Sequence, residues 1–277
     1  KKWKNKSPKK IASKPDFYTF VDQEGKKHDE IEKGLSIVEG KTASIYRDKI
    51  YTRQCLTNQE RAVIAEFVTF MMIRVPSFHN RVDSSTSEMA IRMMEMYKVR
   101  PEAAKKFKEE YERDIGKKLP EEFDESWLDP ARYKINAIKS FILKMMISLS
   151  EIAKIIFTMS WTFLHTTGKA WFITSDNPFS MRNPQSNSPW YGHGLMSQDI
   201  KVTIPLSKQT CLLATWKKGL WPHIPHINVP QQVVEELNHD RIEASDKFII
   251  SPRKDFIGSR YLKYKTEREV NNDSYAL

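Results

Sequence analysis

Glycine is scarce in this chain, nine of 277 residues. Loops that cradle phosphate on backbone amides depend on glycine, because only it adopts the required conformations without strain. No Walker loop, dinucleotide glycine fingerprint, Gly-x-Ser-x-Gly elbow or His-Glu-x-x-His pair occurs. Nucleotide-dependent kinases, Rossmann dehydrogenases and elbow-type serine hydrolases are therefore disfavoured. Cysteine is scarcer still: Cys55 and Cys211 are the only two. They form no Cys-x-x-Cys pair and no disulfide framework, so a reducing, cytoplasmic setting is expected. No signal peptide is visible, and the chain opens at Lys1 rather than Met, so a native segment is expected to precede it.

An uninterrupted apolar span is also missing. The most hydrophobic stretch, Phe141 to Leu164, carries Lys144, Glu151 and Lys154. Each such charge near a bilayer centre costs roughly 2.5–3.5 kcal/mol on insertion scales. No membrane span is expected. What is present is the composition of a folded globular protein, 40% hydrophobic and 29% charged residues. The formal charge is +10, and Lys1, Lys2, Lys4, Lys6, Lys9, Lys10 and Lys14 crowd the N-terminus. A solvated basic arm is one reading of that excess. Docking on nucleic acid, an anionic membrane surface or an acidic protein is the other.

Hydrophobic spacing predicts a mostly helical first half. Ile31, Leu35, Val38 and Ile45 recur at helical intervals from about Asp29 to Tyr46. Thr57-Asn58-Gln59-Glu60 fits a capping box ahead of the apolar run Val63 to Met71, and Arg74-Val75-Pro76 closes that helix. Ser85 to Val99 reads as a Met-rich helix whose methionines suit core packing better than a binding groove. Pro101 to Ile115 reads as a charged surface helix, followed by an acidic loop. Asp129-Pro130 opens the longest predicted element. Ile138, Ile142, Met145, Leu149, Ile152, Ile156, Met159 and Phe163 keep a heptad spacing to about His165 or Thr166, with Gly168 as the stop. That stripe suits either a central core helix or a dimer seam.

The second half is richer in strands. Trp171-Phe172-Ile173 predicts a short buried strand running into the polar turn Thr174-Ser175-Asp176-Asn177-Pro178. Asn183 to Gly194 is a loop. Asp199 to Ile204 and Thr210 to Trp216 make a hairpin, Pro230 opens a helix, and Lys247 to Ser251 is a last strand. The predicted fold is α+β, predominantly helical, with a long central helix and a small antiparallel sheet in the C-terminal half. It is a single domain of two lobes: a helical lobe over about 1–168, a strand-rich lobe over about 169–266, and a frayed tail over 267–277.

These elements in this order resemble a bacterial family catalogued as domain of unknown function 4238. The likeness rests on Phe17-Tyr18, a helix carrying Glu39, a helix ending Arg74-x-Pro76, and a long helix. It continues through Phe172 to Pro178, Ile204-Pro205-Leu206-Ser207, a helix with Asn238, and Phe248-Ile249-Ile250-Ser251. Members typically begin with a His-x-x-Pro segment that this chain starts just after, and commonly carry Gln where Met71 stands. The resemblance implies the order of elements. It implies no reaction.

Asp176 and Asn177 are the leading candidate site residues. A carboxylate on a strand-end turn can hold a divalent cation or act as a base, and equally can cap its own turn. Arg74 can clamp a phosphate, or pair with Glu39 or Asp176. Asn238 can project from its helix toward the same pocket. His79 is a lone loop histidine, and His223-Ile224-Pro225-His226 has His-x-x-His spacing broken by a proline, a poor zinc motif. The expected function is a metal-assisted hydrolase acting on nucleic acid, of a toxin-like or defence type. In it Asp176 and Glu39 hold the cation and Arg74 stabilises the transition-state phosphate. The alternative is a non-catalytic binding module for nucleic acid, protein or a small ligand, its Ser-Asp-Asn-Pro turn structural.

Overall fold

A computed structural model describes residues 20–21, 27–28, 30–118, 129, 149–168, 170–183, 194–217 and 223–252. Residues 1–14 of the basic arm, most of the 183–194 loop, the tail from 267 and the 130–148 part of the predicted long helix lie outside these. The chain divides into two compact units, 76–146 and the remainder. Among the described residues no helix is long and apolar enough to cross a membrane.

In the larger unit, Phe20–Val21 (β1) and Lys27–His28 (β2) pair antiparallel. Helix α1 spans Glu30–Ile45 and runs into a π-turn at Tyr46–Ile50, where Tyr51 N–H reaches back to the Tyr46 carbonyl at 2.8 Å. Helix α2, Asn58–Ile73, begins at the predicted capping box: the Thr57 hydroxyl accepts from Glu60 N–H at 3.2 Å, and the Glu60 carboxylate accepts from Thr57 N–H at 2.7 Å.

The smaller unit holds α3, Pro76–Val99, and α4, Pro101–Ile115. Helix α3 starts at Pro76 rather than near Ser85. Pro76 does end α2, but proline also suits a first helical position, so one residue closes one helix and opens the next. His79 is consequently helical in backbone and not in a loop. Gly116 ends α4 at a left-handed φ of 68°. The methionines predicted to be core are largely exposed in this unit: Met89, Met93 and Met96 line a cleft of about 400 Å³ with Ser85, Glu88 and Arg92.

The main correction concerns the long helix. Among the described residues helix α5 covers Leu149–Thr158, and Ser160–Thr166 is not its continuation but β3, a strand at the heart of the sheet. No long central helix exists among the described residues. Every residue from Ser160 to His165 is buried, and a strand buried on both faces shows no alternation. Its apolar positions can therefore mimic a continuing helical stripe.

Arg61, only 3% exposed, fixes the switch. Its guanidinium donates to the Phe157 carbonyl at 3.0 and 2.8 Å and to the Met159 carbonyl at 2.5 Å, and lies 4.2 Å over the Trp161 ring. The Trp161 indole adds a 2.9 Å bond to the Ile156 carbonyl. The Phe157 and Met159 carbonyls at the end of α5 are thus satisfied by a cation from α2, and the Ile156 carbonyl, which also accepts from Met159 N–H at 3.2 Å, by a ring from β3. Burial lowers the Arg61 pKa to about 10, so it stays charged at neutral pH.

The fold is α+β with a five-stranded sheet in the order β5-β6-β7-β3-β8, where β5 is Ser180–Arg182, β6 Lys201–Pro205, β7 Thr210–Thr215 and β8 His226–Val229. The predicted β6–β7 hairpin forms, its antiparallel register setting Ile204 opposite Leu212. The sheet is mixed rather than antiparallel. β7 and β8 flank β3 on opposite sides, the connection between them crosses it, and β8 emerges parallel to β3. Phe172 and Ile173 are buried and Trp171 is half-buried, but the stretch has no ladder of its own. The pairing falls one step later, where Thr174–Ser175 (β4) meets Ile249–Ile250 (β9).

Side-chain alternation gives the sheet two faces. Trp161, Phe163, Val202, Ile204, Leu212 and Ala214 point to one, in a cluster with Ile50, Ile64, Val68 and Ile156. Leu164, Cys211 and Val229 point to the other, with Phe172 and with Val234 of α6, Gln231–Ala244. Fully burying each large apolar side chain contributes about 1.5–3 kcal/mol.

Replacing Arg61 by Met keeps the volume and strands two carbonyls. Urea unfolding of R61M should show a loss of about 2–4 kcal/mol at an unchanged denaturant slope. A loss under about 0.5 kcal/mol, the range of ordinary surface changes, would contradict this role.

Candidate functional site

The Ser-Asp-Asn-Pro turn joins α6 to β4 and β9. The Ser175 hydroxyl donates to the Asn177 carbonyl at 2.7 Å and accepts from Asn177 N–H at 3.1 Å. The Asp176 carboxylate accepts from Asp246 N–H at 3.1 Å through one oxygen and from Lys247 N–H at 2.6 Å through the other. The Asn177 amide donates to the Ala244 carbonyl at 3.1 Å, satisfying an end of α6. Asn238, 3% exposed, accepts from Ile173 N–H at 3.0 Å and donates to the Trp171 carbonyl at 2.9 Å. These three residues therefore bond the 171–177 segment to α6 and to the residues that follow it, each through backbone groups.

Arg74 and Glu39 form a second group. They make a half-exposed ion pair at 2.5 Å, with the Met71 sulfur 3.9 Å from the guanidinium. None of the hydrogen bonds of Asp176 reaches Arg74 or Glu39. For a metal, His239, Asp240 and Glu243 place one ligand atom each within 4.8 Å of one another, but Asp240 is also bonded to Arg182.

A further polar cluster lies where the first apolar face of the sheet runs out. Register puts Thr210 opposite His165, and His165 beside Asn228; His226 and Asn228 share a face of the edge strand β8. The two imidazoles stack with centroids 5.1 Å apart, and His165 Nε2 lies 2.9 Å from His226 Nδ1. Thr210 Oγ1 is 3.4 Å from His165 Nδ1, and the Tyr46 hydroxyl is 3.3 Å from Thr210 Oγ1 and donates to Ser207 Oγ at 2.6 Å. Ser207 Oγ also accepts from Gln209 and Thr210 N–H, both at 3.1 Å. Arg53 donates to Asn228 Oδ1 at 2.5 Å.

Electrostatics keep both rings neutral. Burial, then Arg53, then His226 push the His165 pKa down to about 4. Burial, then Arg53 and His223 lower that of His226. Two features of the local backbone are unusual. Arg53 is the one described non-glycine residue with positive φ, 57°, and Tyr46 opens the π-turn, a rare bulge that often marks functional positions. The sequence held only fragments of this cluster. His226 was visible as half of a His-x-x-His spacing and Ser207 as part of Pro-Leu-Ser, while His165 was hidden in the apparent helix and nothing marked Arg53.

Comparison with known proteins bears out the family resemblance. Residues 1–255 match the family described as a protein of unknown function (DUF4238), and the chain belongs to that family. No curated protein and no solved structure matches it.

The His165 environment sets a pH dependence. In the unfolded chain this ring takes a proton near pH 6.5, in the folded protein only near pH 4. The unfolded state binds more protons in that window, so stability is full above it and falls as pH drops through it, by up to about 3 kcal/mol. Urea unfolding at a series of pH values should show this slope, and H165Q should flatten it. An equal slope in both proteins would refute the assignment.

Proposed function

We propose that this member of the DUF4238 family is a binding module for the phosphates of nucleic acid, engaged at the rim formed by Arg53, Asn228, His226 and His165. The Ser-Asp-Asn-Pro turn is its structural clasp. The observation that carries this reading is Arg53. An L residue in the left-handed region costs about 1–2 kcal/mol, and such strain is retained at positions where function needs a particular side-chain placement. Here it sets a guanidinium against Asn228 and beside two neutral imidazoles. A guanidinium fork matches phosphate geometry bidentately, and a chain of formal charge +10 would draw a polyanion toward it.

The metal-assisted hydrolase has less support from the same geometry. Both Asp176 oxygens accept backbone amides and Glu39 is paired with Arg74, so a cation held by Asp176 and Glu39 would displace those partners.

Arg53→Gly separates function from stability, because glycine relieves the backbone strain while deleting the cation. Titrating inorganic phosphate and a short single-stranded RNA while following the His226 ring resonances should show binding to the wild type. R53G should bind at least about tenfold more weakly, with stability within roughly 1 kcal/mol of the parent. Equal affinity in R53G would refute the site. Mg²⁺-dependent cleavage that survives R53G and is lost in D176A would restore the metal-assisted hydrolase.

A further inference from the structure

Proton order along the hydrogen-bond chain has a chemical consequence. The single Tyr46 hydroxyl proton goes to Ser207 Oγ, so at the Tyr46–Thr210 contact the donor must be Thr210. That uses the only Thr210 hydroxyl proton. At the Thr210–His165 contact the imidazole must then donate, which puts the His165 proton on Nδ1 and a lone pair on Nε2. His165 Nε2 can only accept from His226 Nδ1–H. In a neutral ring this leaves His226 Nε2 unprotonated, and no hydrogen bond among the described residues occupies it.

A neutral histidine with a fixed Nδ1–H and an open, unprotonated Nε2 is the form that general-base catalysis uses. In this protein the usual orienting carboxylate is replaced by a second neutral imidazole anchored through Thr210, Tyr46 and Ser207 to the β6–β7 turn. His226 is half-buried, not sealed, and the Arg53 guanidinium stands near enough to act on both rings.

We infer that the rim cleaves RNA without a metal, with His226 Nε2 as the general base and Arg53 holding the scissile phosphate. The inference rests on the phosphate-binding reading above. The substrate class follows from the groups present. A base and a cation suffice when the nucleophile is supplied by the substrate, as the ribose 2′-hydroxyl supplies it in RNA. His226 Nε2 takes the 2′-hydroxyl proton as the 2′-oxygen bonds to phosphorus. The bond from phosphorus to the 5′-oxygen breaks, and that oxygen receives the proton back from the imidazolium. The products are a 2′,3′-cyclic phosphate and a 5′-hydroxyl, with nothing oxidised or reduced. Tyr46 and Thr210 act as positioning residues, through the ring tautomers.

The test incubates the full chain with a single-stranded RNA oligonucleotide in EDTA and analyses the ends produced. Expected is cleavage leaving cyclic phosphate, blocked by 2′-deoxy substitution throughout the strand and reduced in H226Q at least about 100-fold beyond any loss of RNA affinity. Y46F should displace the acidic limb of the pH–rate profile, leaving binding unchanged. Nitrogen NMR of the wild type provides a check free of any folding defect: His226 should carry its proton on Nδ1. The opposite tautomer, or a wild type that binds RNA and leaves it intact in EDTA, overturns the catalytic inference and leaves the binding reading standing. RNA affinity unchanged in R53G overturns the binding reading itself.

Discussion

The larger unit depends on a buried cation at the end of a helix. Arg61 reaches from α2 to the two carbonyls where α5 stops and β3 begins, and its plane rests on Trp161. Leaving either carbonyl unpaired in the core would cost about 1–3 kcal/mol, and the guanidinium satisfies both. The consequence extends past this one turn. β3 lies between β7 and β8, so ending α5 at Thr158 determines where the central strand starts and how its register falls on both neighbours.

From that register the rim follows. Along one face of β3 the residues run Trp161, Phe163, His165, from the middle of the apolar cluster to its edge. Phe163 packs its ring 5.0 Å from His226, and His165 takes up the same imidazole on the next step. The imidazoles sit where burial is deep enough to keep them neutral and shallow enough to leave His226 only half-buried. The π-turn brings Tyr46 over Thr210, and the strained Arg53 a few residues later brings a positive charge beside the pair. Asn238 and Asn177 tie α6 to the 171–177 segment that carries β4 by side-chain bonds to backbone.

Local signals in the sequence were readable where one rule governed the segment. The Thr57–Glu60 box, the β6–β7 alternation and the Pro101–Ile115 bounds all depend on neighbours a few positions away. β3 was illegible because a strand buried on both faces carries no alternation, and its termination of α5 depends on Arg61, far off in sequence. The sheet's parallel pair was illegible for a related reason: nothing in the 216–226 segment states which edge it reaches. The candidate residues were legible as chemistry and not as contacts. Asp176, Asn177 and Asn238 each bond backbone between the 171–177 segment and the 238–247 stretch, whereas Arg74 and Glu39 meet each other. The imidazole pair needed both the corrected strand and its register before it could be seen.

A structure of the protein with a 2′-deoxy-substituted dinucleotide, which cannot be cleaved by the inferred route, tests the central claim most directly. The account predicts the phosphate within hydrogen-bonding distance of the Arg53 guanidinium, with the 2′ carbon of the preceding sugar facing His226 Nε2. A phosphate bound instead by Arg74, or through a metal on Asp176, would contradict it.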